Sequence, residues 1–120
     1  MDKRKKILVV DDQADLGELY KTVLMEQGHL VVVTQNPEAA LELAEKDHLD
    51  LVLLDIRMPG MDGIELLHQL TNRKPSLKVI INTAYPSYKE NYLTWPAVSY
   101  LVKSSDLTEL TDTVNRVLAS

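Results

Sequence analysis

The sequence contains no cysteine and no phenylalanine, and its 120 residues include only four glycines. Without cysteine, disulfide bonds and thiolate-ligated metal sites are excluded, and a reducing cytoplasm is the compartment we expect. The glycines do not form the Gly-x-Gly-x-x-Gly pattern of dinucleotide-binding folds. A metal site in this chain must therefore use oxygen or nitrogen ligands.

Long hydrophobic runs and an excess of positive charge are also missing. The basic residues 3–6 are followed by the apolar run Ile7–Val10 and then by two aspartates, which is too short for a signal peptide or a membrane span. The formal net charge of −5 disfavours direct nucleic-acid binding, because that affinity comes mainly from Lys and Arg. We expect a single domain over residues 1–120, without direct binding to membrane or nucleic acid.

Short apolar runs alternate with longer segments of helical period. The runs are rich in Val, Ile and Leu, which is typical of strands covered by helices on both faces. Repeated strand–helix units predict an α/β fold with a five-stranded parallel sheet that is doubly wound, since right-handed crossovers place helices on both faces. The predicted strands are Ile7–Val10, Leu30–Val33, Leu51–Leu54, Val79–Ile81 and Val98–Val102.

The first two predicted helices have clear signals. An apolar stripe from Leu16 to Leu24 indicates the first helix, and Gly28 is placed to end it. The second is expected to begin with Asn36 as N-cap and Pro37 in the first turn, where a missing N–H costs nothing.

The later helical segments are less uniform. The third helix is expected from about Asp62, and the last from a capping box formed by Asp106 and Glu109. Between them, residues 86–95 have a short apolar stripe and stop before Pro96. We therefore expect a frayed or irregular helix in that segment.

Polar residues follow four of the predicted strands directly. Asp11 and Asp12 follow the first strand, Asp55 the third, Thr83 the fourth and Lys103 the fifth. In a doubly wound sheet these positions meet beyond the carboxyl ends of the strands. Clustered carboxylates repel one another, and Mg²⁺, which prefers oxygen ligands and is often shared with a phosphate, would relieve this repulsion. The set predicts a Mg²⁺ site with room for a phosphoryl group.

Each of these residues alone has a simpler interpretation. An aspartate after a strand is commonly the N-cap of the next helix, and an Asp-Asp pair is weak support for a metal site. The complementary charges at all of these strand ends favour the site over helix capping.

Four segments of the chain carry its most specific motifs: Ile7–Asp12, Leu53–Gly63, Ile81–Ala84 and Tyr100–Lys103. Together they resemble the response-regulator receiver domains of two-component signalling, and the resemblance covers essentially the whole chain. It implies a flavodoxin-like fold with strand order 2-1-3-4-5.

The resemblance implies a role for each of the three aspartates that follow the strands. Asp55 would be the phosphoacceptor, and Asp12 and Asp55 would ligate Mg²⁺ directly. Asp11 would act mainly through water, and the backbone carbonyl of Arg57 would be a further ligand. The phosphoryl donor would be a sensor histidine kinase or a histidine phosphotransfer protein.

The resemblance also implies a switch. Thr83 and Lys103 would bind phosphoryl oxygens, and Tyr100, coupled to Thr83, would report phosphorylation. The responding surface would be formed by the fourth helical segment, the fifth strand and the last helix, and it would contact an output domain or a partner protein. The domain would be regulatory, not an enzyme, although it would assist its own phosphorylation and dephosphorylation.

One residue departs from the family pattern. Ser104 stands where the family usually has proline after the lysine. An X-Pro bond can be cis at low cost but a Lys-Ser bond cannot, so we expect this loop to take a different path and Lys103 to be held less rigidly.

Five of the six aromatic residues lie in or beside the irregular fourth segment. This grouping predicts a partner-binding face, because Tyr and Trp give large contact area at little conformational cost. For Tyr88 and Tyr92, simple packing of the segment onto the domain is an equal alternative. The five are Tyr85, Tyr88, Tyr92, Trp95 and Tyr100.

Three other classes of protein share some of these features. A haloacid-dehalogenase-like phosphatase would need a second aspartate at position 13, which is glutamine. A flavodoxin would place hydroxyl and glycine residues after the first strand, where Asp11 and Asp12 would repel phosphate. A receiver-like interaction module that is not phosphorylated is the third, and the intact acidic set disfavours it.

Overall fold

The structure is a computed structural model that describes residues 4–56, 62–86, 89 and 91–120. Five strands are present in these residues: β1 (Lys6–Val10), β2 (Leu30–Thr34), β3 (Leu51–Leu54), β4 (Lys78–Thr83) and β5 (Ser99–Val102). The helices are α1 (Ala14–Glu26), α2 (Pro37–Lys46), α3 (Gly63–Arg73), a 3₁₀ helix (Tyr92–Thr94) and α4 (Thr108–Ala119).

The strands form one parallel sheet in the order β2-β1-β3-β4-β5, which confirms the predicted fold class and strand order. The register aligns the carboxyl ends of the central strands. Val10 pairs with Leu54, and Leu54 pairs with Ile81. The residues that follow β1 and β3 therefore lie side by side, and the Asp55 amide donates to the Val10 carbonyl at 2.9 Å.

The sheet separates two hydrophobic clusters. Leu8 and Val10 of β1 face the cluster under α2 and α3, whereas Ile7 and Val9 face the cluster under α1 and α4. All four side chains are 0% exposed. Burial on both faces explains why β1 is a continuous apolar run and does not alternate with polar residues.

The helix ends follow the sequence at some positions and differ at one. The Asn36 side chain caps α2 as expected, by accepting from the amides of Glu38 and Ala39. The capping box predicted for the last helix is wrong, because Leu107 is the N-cap and makes no side-chain cap bond. Asp106 does accept from the Thr108 amide at 3.0 Å.

Gly63 lies where the start of α3 crosses the chain just after β3. Its amide donates to the Ile56 carbonyl at 3.2 Å, and a Cβ on residue 63 would lie 2.3 Å from the Ile56 Cα. Only glycine permits this approach. Ile56, which directly follows Asp55, is thus held by backbone contact with the start of α3.

Among the described residues, every helix is too short or too polar to cross a membrane.

Candidate functional site

Three carboxylates meet at the carboxyl end of the sheet. One carboxylate oxygen from each of Asp11, Asp12 and Asp55 lies within 4.8 Å of the other two. Asp11 and Asp55 are 2% and 5% exposed, and Asp12 is half-buried. Three oxygen donors at this separation are suited to a hard divalent cation, and the structure therefore suggests a metal site.

Lys103, which follows β5, lies against this acidic cluster. Its Nζ is 2.9 Å from Asp11 Oδ2 and 2.9 Å from Asp55 Oδ2, and its side chain is 10% exposed. The same ammonium donates to Gln13 Oε1 at 3.0 Å. The structure thus brings together four of the predicted site residues and adds Gln13.

Burial and charge act against each other in this cluster. Burial raises the pKa of the Asp11 carboxyl above its ordinary value, and hydrogen bonds from Lys103 and the Gln13 amide oppose that shift. Burial also favours a lower pKa for Lys103, but hydrogen bonds and charge attraction from Asp11 and Asp55 outweigh it, so the Lys103 pKa is raised. The lysine therefore stays charged beside the buried carboxylates.

Thr83 and Tyr100 are linked through the end of β4. Thr83 is 0% exposed, and its Oγ1 accepts from the Tyr85 amide at 3.4 Å. The Tyr100 hydroxyl donates to the Tyr85 carbonyl. A short chain of contacts therefore joins Thr83 to the aromatic ring on the edge strand β5.

Ser104 stabilises the loop after Lys103 with its own side chain. No cis peptide bond occurs in the described residues, so the Lys103–Ser104 bond is trans. The Ser104 Oγ accepts from the Asp106 amide at 3.1 Å, a bond that proline could not make. The Lys103 ammonium nevertheless reaches Asp55.

A buried polar pair behind the site has no counterpart in the sequence-based expectations. The Tyr20 hydroxyl and the Asn82 side chain are hydrogen-bonded, and burial raises the Tyr20 pKa. Tyr20 is 2% exposed and Asn82 is 5% exposed. The available signal was Asn82, a polar residue that directly follows the apolar residues Val79–Ile81 of β4 and requires a partner when buried.

The aromatic surface is defined as Tyr92 and Leu93 of the 3₁₀ helix together with Trp95 and Val98, which follow it. Tyr92 and Trp95 are 68% and 72% exposed, with ring centroids 6.5 Å apart in an edge-to-face arrangement. The 3₁₀ helix is held by α3 through His68, whose Nε2 donates to the Leu93 carbonyl at 2.7 Å.

Some predicted positions fall outside the described residues. The Arg57 carbonyl, expected to ligate the metal, is among them, and so is Tyr88.

Comparison with known proteins identifies the class of domain. Residues 7–115 match the response regulator receiver domain family. Sporulation initiation phosphotransferase F of Bacillus subtilis is 35% identical over 116 residues, which cover 95% of this chain and 94% of that protein. ZraR of Klebsiella oxytoca, a transcriptional regulatory protein, is 39% identical over 94% of this chain, although the match spans only 26% of ZraR.

Solved structures agree with this assignment. The response regulator TrrA of Thermotoga maritima, in complex with Mg²⁺ and BeF, has a TM-score of 0.91 at 39% identity and covers 94% of this chain and 98% of its own. TrrA bound to the histidine kinase ThkA has a TM-score of 0.89 at 39% identity, over 95% of this chain and 98% of its own.

This chain therefore belongs to the response regulator receiver domain family, the regulatory domains of two-component systems. The family assignment favours a receiver domain over the two alternatives considered from the sequence, a haloacid-dehalogenase-like phosphatase and a flavodoxin.

Proposed function

We propose that this domain accepts a phosphoryl group on Asp55 from the phosphohistidine of a sensor histidine kinase or of a histidine phosphotransfer protein. One observation carries the proposal: the buried Asp55 carboxylate lies 2.9 Å from the Lys103 ammonium and within the acidic cluster. This arrangement supports the proposal, because the Asp55 oxygen would act as the nucleophile and the Lys103 charge would attract the phosphoryl group. The complex of TrrA with its histidine kinase supports the class of donor.

The proposed transfer is a direct displacement. An ionised oxygen of Asp55 attacks phosphorus, the P–O bond forms, and the P–N bond to the donor histidine breaks with its electron pair leaving on the imidazole nitrogen. No proton has to be removed from Asp55, so the domain requires positioning and charge neutralisation but no general base. Lys103 would neutralise charge on the phosphoryl oxygens, and the Thr83 hydroxyl would donate a hydrogen bond to one of them.

Mg²⁺ is the proposed cofactor. Asp12 and Asp55 would bind it directly, Asp11 mainly through water, and Arg57 through its backbone carbonyl. The all-oxygen donor set of the acidic cluster fits this ion, and TrrA, a relative, was solved with Mg²⁺ and BeF. When bound, the ion would neutralise charge that develops during transfer. The domain would in this way assist its own phosphorylation and dephosphorylation while remaining regulatory.

Phosphorylation would change the surface around the edge strand β5. A phosphoryl group on Asp55 would draw the Thr83 hydroxyl toward it, and Tyr100 would respond through the Tyr85 backbone that both residues contact. The face formed by the aromatic surface, β5 and α4 would bind a partner protein or output domain. Direct nucleic-acid binding is not part of the proposal, and a cytoplasmic location is consistent with the absence of cysteine.

Intact-mass measurement after incubation with acetyl phosphate and Mg²⁺ tests the acceptor. The wild type is expected to gain one phosphoryl group, Asp55→Asn none, and the control Asp15→Asn, an exposed residue of α1, as much as the wild type. Omission of Mg²⁺ should abolish the gain. Equal labelling of Asp55→Asn and wild type would refute the assignment.

A further inference from the structure

Gln13 occupies the N-cap position of α1 but does not cap it with its side chain. Its backbone is fixed on both sides. The amide donates to Asp11 Oδ1 at 2.9 Å, and the carbonyl accepts from the Gly17 amide at 3.0 Å. The side chain is thus available for another partner, and its Oε1 accepts from the Lys103 ammonium at 3.0 Å.

The partners of Lys103 match its bonding capacity. An ammonium has three N–H donors, and Nζ has an oxygen within hydrogen-bond distance on Asp11, Asp55 and Gln13. Two of these oxygens belong to carboxylates of the acidic cluster. The third is a neutral amide oxygen, and its position is set by the backbone contacts at the start of α1.

These three partners would not respond equally to a divalent cation. A cation that binds Asp55 directly and Asp11 through water attracts the same oxygen electron density that holds Lys103, and it repels the ammonium. Phosphorylation would convert the Asp55 carboxylate into an acyl phosphate, so the negative charge near Lys103 would move to the phosphoryl oxygens. The Gln13 amide is subject to neither change.

We propose that Gln13 is a positioning residue that holds Lys103 beside Asp55 once a divalent cation occupies the acidic cluster. The proposal rests on the function assigned above, since the held ammonium would then lie where the phosphoryl group arrives. Gln13 itself would contact neither the phosphoryl group nor the cation. Its two bonds act together, because the backbone amide orients Asp11 while the side chain orients Lys103.

The test follows the Lys103 ammonium directly by ¹H–¹⁵N NMR of lysine side chains, which detects ammonium groups that are held by hydrogen bonds. The signal, assigned with Lys103→Met, is expected to persist in wild-type protein saturated with Mg²⁺. In Gln13→Met, which keeps the shape of the side chain but lacks the acceptor, Mg²⁺ should broaden or abolish it. Gln13→Glu, which retains an oxygen acceptor, should restore it.

A matched control separates this effect from general loss of a glutamine. Gln69 lies on α3, and in the described residues its side chain donates a hydrogen bond to Glu65. Gln69→Met should leave the Lys103 signal as in wild type. The rate of phosphorylation by acetyl phosphate should fall about three- to tenfold in Gln13→Met, because one solvent-facing hydrogen bond to a charged group is lost. The rate should be unchanged in Gln69→Met.

The role of Gln13 and the phosphorylation of Asp55 are tested by separate measurements. A Lys103 signal in Mg²⁺-saturated Gln13→Met that equals the wild-type signal would overturn the role of Gln13, whatever the phosphorylation rates. Absence of any phosphoryl transfer to wild type would overturn the proposed function, while the NMR comparison with Mg²⁺ alone would still decide the role of Gln13.

Discussion

Lys103 is a cation in a nearly closed site, and its pKa is raised even though burial alone would lower it. Its partners Asp11 and Asp55 favour the charged form in the folded protein and are not beside it in the unfolded chain. This contribution to stability is fully present below the ordinary lysine pKa of 10.5 and is lost as pH rises through the higher folded value.

The stability difference between wild type and Lys103→Met should therefore shrink at alkaline pH. Urea unfolding of both proteins without Mg²⁺ at about pH 8 and at about pH 11 measures it, and the difference isolates Lys103 from the other groups that titrate there. A gap that is constant or widens between the two pH values would contradict the assigned direction of the shift.

Tyr20 and Asn82 form a buried hydrogen-bonded pair that should contribute to stability. Tyr20→Phe removes the hydroxyl and leaves the Asn82 amide without that partner, which should cost about 1–3 kcal/mol of unfolding free energy. The double variant Tyr20→Phe/Asn82→Leu should recover part of this loss, because a buried polar group no longer lacks a partner. Additive losses in a double-mutant cycle from denaturant unfolding would show that the two side chains are not coupled.

Residues that end a strand could be placed from sequence, because parallel pairing brings every carboxyl end to one edge. Asp11, Asp12 and Asp55 were located in this way. Tyr20 was interpreted only as part of an apolar stripe, since its partner Asn82 comes from another element and their contact depends on how α1 is rotated against the sheet. Gln13 was missed for the same reason.

At the scale of elements, the start of α3 should tolerate no larger residue. Gly63→Ala would force a Cβ into the Ile56 backbone, which cannot rotate away as a flexible side chain could. We expect a loss of about 1–3 kcal/mol or more in denaturant unfolding and weaker Mg²⁺ binding, because Asp55 precedes the displaced residue. The matched control Gly28→Ala should strain only the turn after α1, where φ is 93°, and should leave Mg²⁺ affinity unchanged.

Element boundaries were predictable where one residue supplies the signal. Asn36 was predicted as the N-cap of α2 and caps it with its side chain. The third helix was expected from about Asp62, and Asp62 caps α3 with its own side chain. The start of α4 was not predictable, because the Asp106 amide donates to Ser104 and the helix begins one residue later than the capping pattern suggests. In the predicted capping box the Glu109 side chain would accept from the Asp106 amide, but Ser104 Oγ accepts from it instead. The sequence pattern does not show which of two nearby acceptors binds this amide.

For the whole molecule, the two hydrophobic clusters share the same sheet and should unfold together. Leu67→Ala on the α3 side and Leu24→Ala on the α1 side should each cost about 2–5 kcal/mol, since both side chains are fully buried. Unfolding followed by Trp95 fluorescence and by far-UV circular dichroism should give coincident transitions in both variants. Separate transitions would indicate that one face of the sheet can melt alone.

Among the described residues, the site at the carboxyl end of the sheet contains three acids and a single base. With every group ionised, it has two surplus negative charges before any ion binds, and a phosphoryl donor is itself an anion. Under the proposed function, a donor that arrives first meets repulsion, whereas one that arrives after Mg²⁺ meets a neutral pocket. The domain would then behave as a coincidence detector, because phosphoryl transfer would require both a phosphorylated donor and a Mg²⁺ ion that is already bound.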